Sequence, residues 1–278
     1  MKREAVDTTE ALRLVFLGTG AADWPAQISD EVPDGERAEA RRHSSVLVDD
    51  RILLDCGGGV EQALAEFDVD PEEITDVFLT HTHADHLSAH ALQMLADAPG
   101  RDARLQLWCE ASAVAQTPHL SGVDRRLLHV GLPISLGAYE VLPLAANHRV
   151  SDSTEQTLHF RIRRGSAAVL YATDGAWLLK DTVAALADTP LDAIIWDATI
   201  GDMPDDYRVF EHNSLAMIRL MKESLKTQGV LTDETQIILT HLARTLHPPH
   251  RTLAPELVKE GLLAAYDGMA VELAVADR

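Results

Sequence analysis

His81, His83, Asp85 and His86 fall within six residues, HTHADH, directly after the apolar run Val77-Phe78-Leu79. Imidazole and carboxylate groups do not build a core, but they do hold divalent metal ions. In an extended segment side chains alternate with period two, so His81 and His83 point the same way and can share one ion. Asp85 and His86 are read as opening the helix that follows, where they aim elsewhere and can serve a second ion. Three more groups close apolar runs downstream: His148 after LPLAAN, Asp174 after VLYAT, and His241 after IILT. A ligand at the end of a rigid strand is held in place, and the shared placement of these three carries more weight than any one of them.

The elements that must position these groups follow from periodicity. LRLVFLGTG reads as a strand entering a glycine turn, and SSVLVDD with RILLDCGGG as a hairpin. VEQALAEF is a short helix, ITDVFLTH a strand, and ADHLSAHALQMLAD a helix. ARLQLWC, YEVLPLA, TLHFRIRR and AAVLYATD are strands around a less regular middle. AWLLKDTVAALAD and HNSLAMIRLMKESLKTQ are helices, and LDAIIWDA and TQIILTH strands. APELVKEGLLAAY reads as a closing helix and MAVELAV as a closing strand. Early strands and later alternation suit layered sheets with helices outside, an α+β arrangement. Residues 21–43 form the longest polar stretch and read as a surface loop. The expectation is a single domain over 1–278, with 1–11 a flexible N-terminal segment.

Charge narrows the function. Lys and Arg number 24 against 44 Asp and Glu, a formal charge of −20. Such a surface repels phosphate backbones at long range and opposes broad nucleic-acid or anionic-membrane binding. A small anionic substrate is still compatible, because bound cations reverse the field locally. Two cysteines make no disulfide framework, no leader is expected from the first residues, and no apolar run approaches about 20 residues. The expected setting is cytoplasmic, without membrane contact. A homodimer is the expected assembly if the chain associates.

THTHADH, Asn147-His148, Thr173-Asp174-Gly175 and Leu239-Thr240-His241 occur in the order in which the metallo-β-lactamase superfamily carries them, and the chain resembles that family from about residue 12 to 273. The resemblance implies a four-layer αββα sandwich with a two-metal site at one edge. It implies that His81, His83 and His148 bind one ion, that Asp85, His86 and His241 bind the other, and that Asp174 bridges them. It places Asp55, in LLDCGGG, behind a ligand histidine as the acceptor of its other N–H. FLGTGAA, HNSLAMIRLM, ILTHLA and AYDGMAVEL are similar to the phosphodiesterase branch, which includes ribonuclease Z and the cyclic-phosphate phosphodiesterase of phosphonate breakdown. There His212 helps catalysis, and His212 and Asp85 are the catalytic candidates. The implied reaction is attack on a small or cyclic phosphodiester by a metal-bridging hydroxide.

This chain departs from that branch in two ways. The early loop has no cysteine, so no structural zinc site is expected there, and no long arm is inserted to grip transfer RNA. The N/O donor set suits two Zn²⁺ or Mn²⁺ ions, and Fe²⁺ as well. After His241, Arg244, His247, His250 and Arg251 make a basic cluster that can hold a substrate phosphate. A dinuclear hydrolase of a lactone, thioester or sulfate ester is the alternative activity. A pure binding role fits poorly with so complete a set of donors.

Overall fold

The computed structural model describes residues 11–28, 38–150, 154–203 and 205–276. Two seven-stranded sheets face each other. The first runs β14 (Ala270–Ala274), β1 (Ala11–Gly18), β2 (Ser45–Val48), β3 (Ile52–Leu54), β4 (Asp76–Phe78), β5 (Leu105–Glu110), β6 (Val123–Leu128). The second runs β13 (Leu263–Ala264), β12 (Gln236–Thr240), β11 (Ala193–Asp197), β10 (Ala167–Ala172), β9 (Gln156–Arg164), β8 (Tyr139–Arg149), β7 (Ile134–Leu136). Each sheet is antiparallel on one side and parallel on the other, β3 to β6 in the first and β10 to β13 in the second.

Strand alternation explains the layers. In β1, Leu12, Leu14 and Phe16 face the middle layer, while Val15 and Leu17 face helices α1 (Val60–Glu66), α2 (Ala89–Ala96) and α3 (Ala111–Gln116). In β10, Val169 and Tyr171 join the middle core. Ala168 and Leu170 turn outward to α4 (Lys180–Leu186), α5 (Leu215–Thr227) and α6 (His250–Val258). Both faces of each sheet are thereby buried, and the αββα sandwich follows. The hairpin turns through Asp49, Asp50 and Arg51, with Asp49 and Asp50 at φ 49° and 54° and the Arg51 N–H bonding Val48 O.

Three expectations need correction. Asp85 and His86 do not open a helix. They lie in a turn whose Leu87 N–H bonds His83 O, and α2 starts only at Ala89, where Ser88 accepts the Ala91 N–H. The closing helix ends at Val258 instead of running to Tyr266. Gly261 takes φ 68° there, and Leu263–Ala264 pair with β12 as a strand. The polar stretch 21–43 is not all surface. Its residues 29–37 lie outside the described residues, but Arg41 and Arg42 are buried. Arg42 is neutralised by Glu66 and Asp267. The 1–11 segment lies outside the described residues except for Ala11, which belongs to β1.

Candidate metal centre

The site is built at strand ends. Asp55 follows β3, Asp174 follows β10 and His241 follows β12, and all three take left-handed backbone at φ 59°, 57° and 56°. That conformation is uncommon for non-glycine residues, though Asp and His tolerate it better than most. Here it turns the chain sharply out of the sheet, and such strain concentrates at functional sites. His148 sits at a register shift in β8 between Ala145 and Arg149. A bulge re-aims a side chain in just this way.

The predicted groups converge. His81 Nε2 lies 2.9 Å from His83 Nδ1, which lies 3.2 Å from His148 Nε2. Asp174 Oδ2 is 3.3 Å from His81 Nε2 and 3.8 Å from His148 Nε2. On the other side, Asp85 Oδ2 is 3.4 Å from His86 Nε2 and 3.3 Å from His241 Nε2. Asp174 Oδ2 and Oδ1 stand 3.0 Å from those same two nitrogens. Asp174 therefore belongs to both sets.

These spacings fit cations. Four donors about 2.1 Å from a shared centre stand roughly 3.4 Å apart when tetrahedral. The protons also point the right way. His81 Nδ1 donates to Thr80 Oγ (2.9 Å), which donates to Asp55 Oδ1 (2.9 Å). His241 Nδ1 donates to Thr199 Oγ (2.7 Å), which donates to Asp197 Oδ1 (2.6 Å). His86 Nδ1 donates to Asp55 Oδ2 (2.8 Å), and His148 Nδ1 to Glu211 O (3.2 Å). With Nδ1 engaged, each of these four rings turns its Nε2 toward the centre, the orientation that metal-binding histidines usually have. Buried His86 Nε2 and Asp174 Oδ1 have no aligned hydrogen-bond partner among the described residues.

Electrostatics agree. Burial alone would raise the Asp174 carboxyl, but His241 and His86 hold it well below the usual carboxylate range. Burial and the charge of His86 push His81 well below the ordinary histidine value. Burial opposes protonation of His86 too, but Asp174, Asp85 and Asp55 raise it well above that value. Fixed negative charge in a dry site is what a cation would neutralise.

Asp55 stands where expected, behind His86. It also accepts the Thr80 N–H (2.8 Å) and the Tyr171 hydroxyl (3.1 Å). Asp55→Asn removes the charge at a backbone conformation that Asn tolerates. Metal affinity or turnover should fall about 10–100-fold, as for other such partners. Metal titration by calorimetry against the parent protein checks this.

His212 lies beside the cluster, with Nδ1 2.8 Å from Asp197 Oδ2 and 3.8 Å from Asp174 Oδ1. It precedes α5, whose cap is Ser214. Sequence reasoning missed Asp197, Thr199 and Thr80. Asp197 carried the same signal as Asp174, a carboxylate closing an apolar strand. Arg244, His247 and His250 are not gathered onto the cluster. With Arg251 they line a cavity of about 320 Å³ alongside Leu242 and Ala243. Arg149 is exposed.

Comparison with known proteins agrees with this geometry. The chain belongs to the beta-lactamase superfamily, whose domain model matches residues 50–242. Ribonuclease Z of Methanococcus maripaludis is 33% identical over 153 residues, 54% of this chain and 41% of that protein. The chain spans less than half the length of the curated relatives it matches. A diphosphatase of the PhnP family superposes with a TM-score of 0.73 at 21% identity, covering 96% of this chain and 98% of the other. The short form of human tRNase Z gives 0.65 at 18% identity, covering 93% and 98%. These likenesses establish the fold. No helix among the described residues is long and apolar enough to cross a membrane.

Proposed function

We propose that the chain is a single-domain, metal-dependent hydrolase of phosphodiesters, acting on a small or cyclic diester. The observation that carries this is the pair of donor sets sharing Asp174, with His212 held at its edge. His81, His83, His148 and Asp174 would hold one divalent ion; Asp85, His86, His241 and Asp174 the other. Zn²⁺, Mn²⁺ and Fe²⁺ all suit such donors. Two such ions, when bound, supply Lewis acidity and bring the pKa of water from 15.7 to about 7.

The chain's own groups do the rest. Asp55, Thr80, Thr199 and Asp197 fix the rings, so the donors need not reorganise during reaction. His212 carries its proton for the leaving alkoxide. Burial disfavours its charged form, yet Asp197 and Asp174 raise its pKa to about 9. With Nδ1 committed to Asp197, Nε2 is the atom that donates to the leaving oxygen, and Asp197 steadies the ring before transfer. A cytoplasmic setting is part of this reading, supported by two free, buried cysteines.

Ribonuclease Z relatives favour a second reading, in which the diester belongs to RNA. The charge of −20 argues against it, since a polyanion approaches a strongly acidic surface poorly. The test is a panel with metal-loaded protein: bis-p-nitrophenyl phosphate, a cyclic nucleotide, a precursor transfer RNA, a lactone and a thioester. The small diesters should lead in kcat/KM. Preference for the RNA by more than about tenfold, some 1.4 kcal/mol, would overturn the small-substrate part. Turnover of the lactone or thioester without any diester would overturn the whole.

A further inference from the structure

The chain leaves β10 through Asp174, Gly175, Ala176 and Trp177, and this short segment is strained. Asp174 and Trp177 both take left-handed backbone, at φ 57° and 55°. For a residue as bulky as Trp that conformation is an outlier, and it persists only where the surroundings enforce it. Asn213 supplies much of the enforcement. It is fully buried, its Nδ2 donates to Gly175 O (2.7 Å), and its Oδ1 accepts the Trp177 N–H (2.9 Å). A donor and an acceptor on one rigid planar group are the property of a carboxamide. Two more groups grip the same segment. Asn147, beside the ligand His148, donates from Nδ2 to Ala176 O (2.7 Å), and its carbonyl accepts the Ala176 N–H (3.1 Å). His159, buried in β9, donates from Nε2 to Asp174 O (3.2 Å).

Asn213 also follows His212 directly in the chain, and this closes a ring of contacts. The Gly175 N–H donates to Asp197 Oδ2 (3.2 Å), the same oxygen that lies 2.8 Å from His212 Nδ1. The ring therefore runs from His212 to Asn213, Gly175, Asp197 and back to His212. The Asn213 carbonyl ties it to the loop after β11 by accepting the Ile200 N–H (3.1 Å). Asp174 adjoins the ring at Gly175, and its Oδ1 stands 3.8 Å from His212 Nδ1. The carboxylate shared by both donor sets and the histidine at their edge are thus held to one common segment.

We propose that Asn213 is a positioning residue, which sets the His212 ring against the Asp174 carboxylate so that its proton meets the leaving oxygen. It acts through His212 and touches no reacting atom itself. Misplacing a reacting group by 1 Å can cost about 10²-fold in rate, so a bond this far back still matters. The proposal rests on the phosphodiesterase reading for the reaction, though not for the placement of the ring.

Leaving groups separate positioning from mere support. p-Nitrophenolate departs as a stable anion, whereas the alkoxide released from a cyclic nucleotide needs a proton as it leaves. In metal-loaded Asn213→Ser, kcat on the cyclic nucleotide should fall at least about tenfold further than kcat on bis-p-nitrophenyl phosphate, with two ions per chain retained. The two esters are compared within one preparation, so an inactive fraction cancels. In the His212→Ala background the same substitution should cost less than about twofold on either ester, since two residues acting through one proton are not additive. Equal losses on the two esters, loss of a bound ion, or an undiminished loss on top of His212→Ala overturns the proposal. Asn213→Asp, which keeps the shape and the acceptor for Trp177, replaces a serine variant that does not fold. If neither folds, the side chain supports the fold rather than the ring, and the assignment falls.

A second readout needs no turnover. In the zinc-loaded parent, the downfield proton NMR resonance that disappears in His212→Ala reports the Nδ1–H bond to Asp197. In Asn213→Ser it should broaden or vanish, because an unlocked ring exchanges that proton with water. No hydrolysis of either ester by the parent would sink the phosphodiesterase reading, while this resonance still decides the placement. A resonance as sharp as the parent's overturns the role of Asn213 whatever the activity.

Discussion

Asp174→Asn should lower kcat/KM toward a phosphodiester by at least about 10³-fold, beyond the 10–100-fold usual for groups one step behind a ligand. It should also reduce the bound metal below two ions per chain. Asp174 is 2% exposed, and its oxygens stand 3.0–3.3 Å from His81, His86 and His241. Asparagine keeps the shape and tolerates the φ of 57°, so the fold should survive and the effect isolates the charge. Elemental analysis with steady-state kinetics reads both quantities. Two ions per chain with turnover within tenfold of the parent would rule out a bridging role.

His212→Ala should lower turnover by about 10²–10⁴-fold, the usual worth of general-acid help, while both ions stay bound. Its pH profile carries a sign. Raised to about 9 by Asp197 against burial, the imidazole is protonated at neutral pH, and its help is lost as pH rises through that value. Cations held by Asp174 would draw the falling limb below 9 by repelling the imidazolium. The variant should lose that limb. The linkage to stability has the same direction. A histidine titrating near 6.5 when unfolded and near 9 when folded contributes stability that is complete below 6.5, declines above it and is gone past 9. Urea midpoints at pH 6 and 9.5, parent against variant, measure this in metal-free protein. Unchanged metal content with nearly unchanged turnover would remove His212 from the reaction.

Much of this architecture could be read from local pattern. LRLVFLG and AAVLYA were legible as strands, and the structure adds their faces, with Leu12, Leu14 and Phe16 in the same middle core as Val169 and Tyr171. The spacing in HTHADH brought four candidate donors to one turn, and His148, Asp174 and His241 join them. Other features are non-local, and pattern cannot see them. Asp197 looked like one more strand end, yet it orients His212 across a 15-residue separation. Arg41 and Arg42 sit in a polar stretch, and polarity reads as exposure unless the distant partners are known. Those partners, Asp267 and Ala265, lie more than 220 positions away. The closing helix was drawn too long because LLAA has helical propensity, whereas pairing with β12 makes part of it a strand.

Asp85 and His241, which face each other at 3.3 Å, lie 156 residues apart, and β1 completes its sheet only when β14 arrives. On a ribosome adding about 5–20 residues per second, the histidine turn emerges roughly ten to thirty seconds before its last partner. During that interval a nascent chain can offer a cation only part of its donors, a weak and exchangeable grip. A complete donor set therefore exists only once His241 has joined the turn, and a cation gripped earlier stays free to exchange until then.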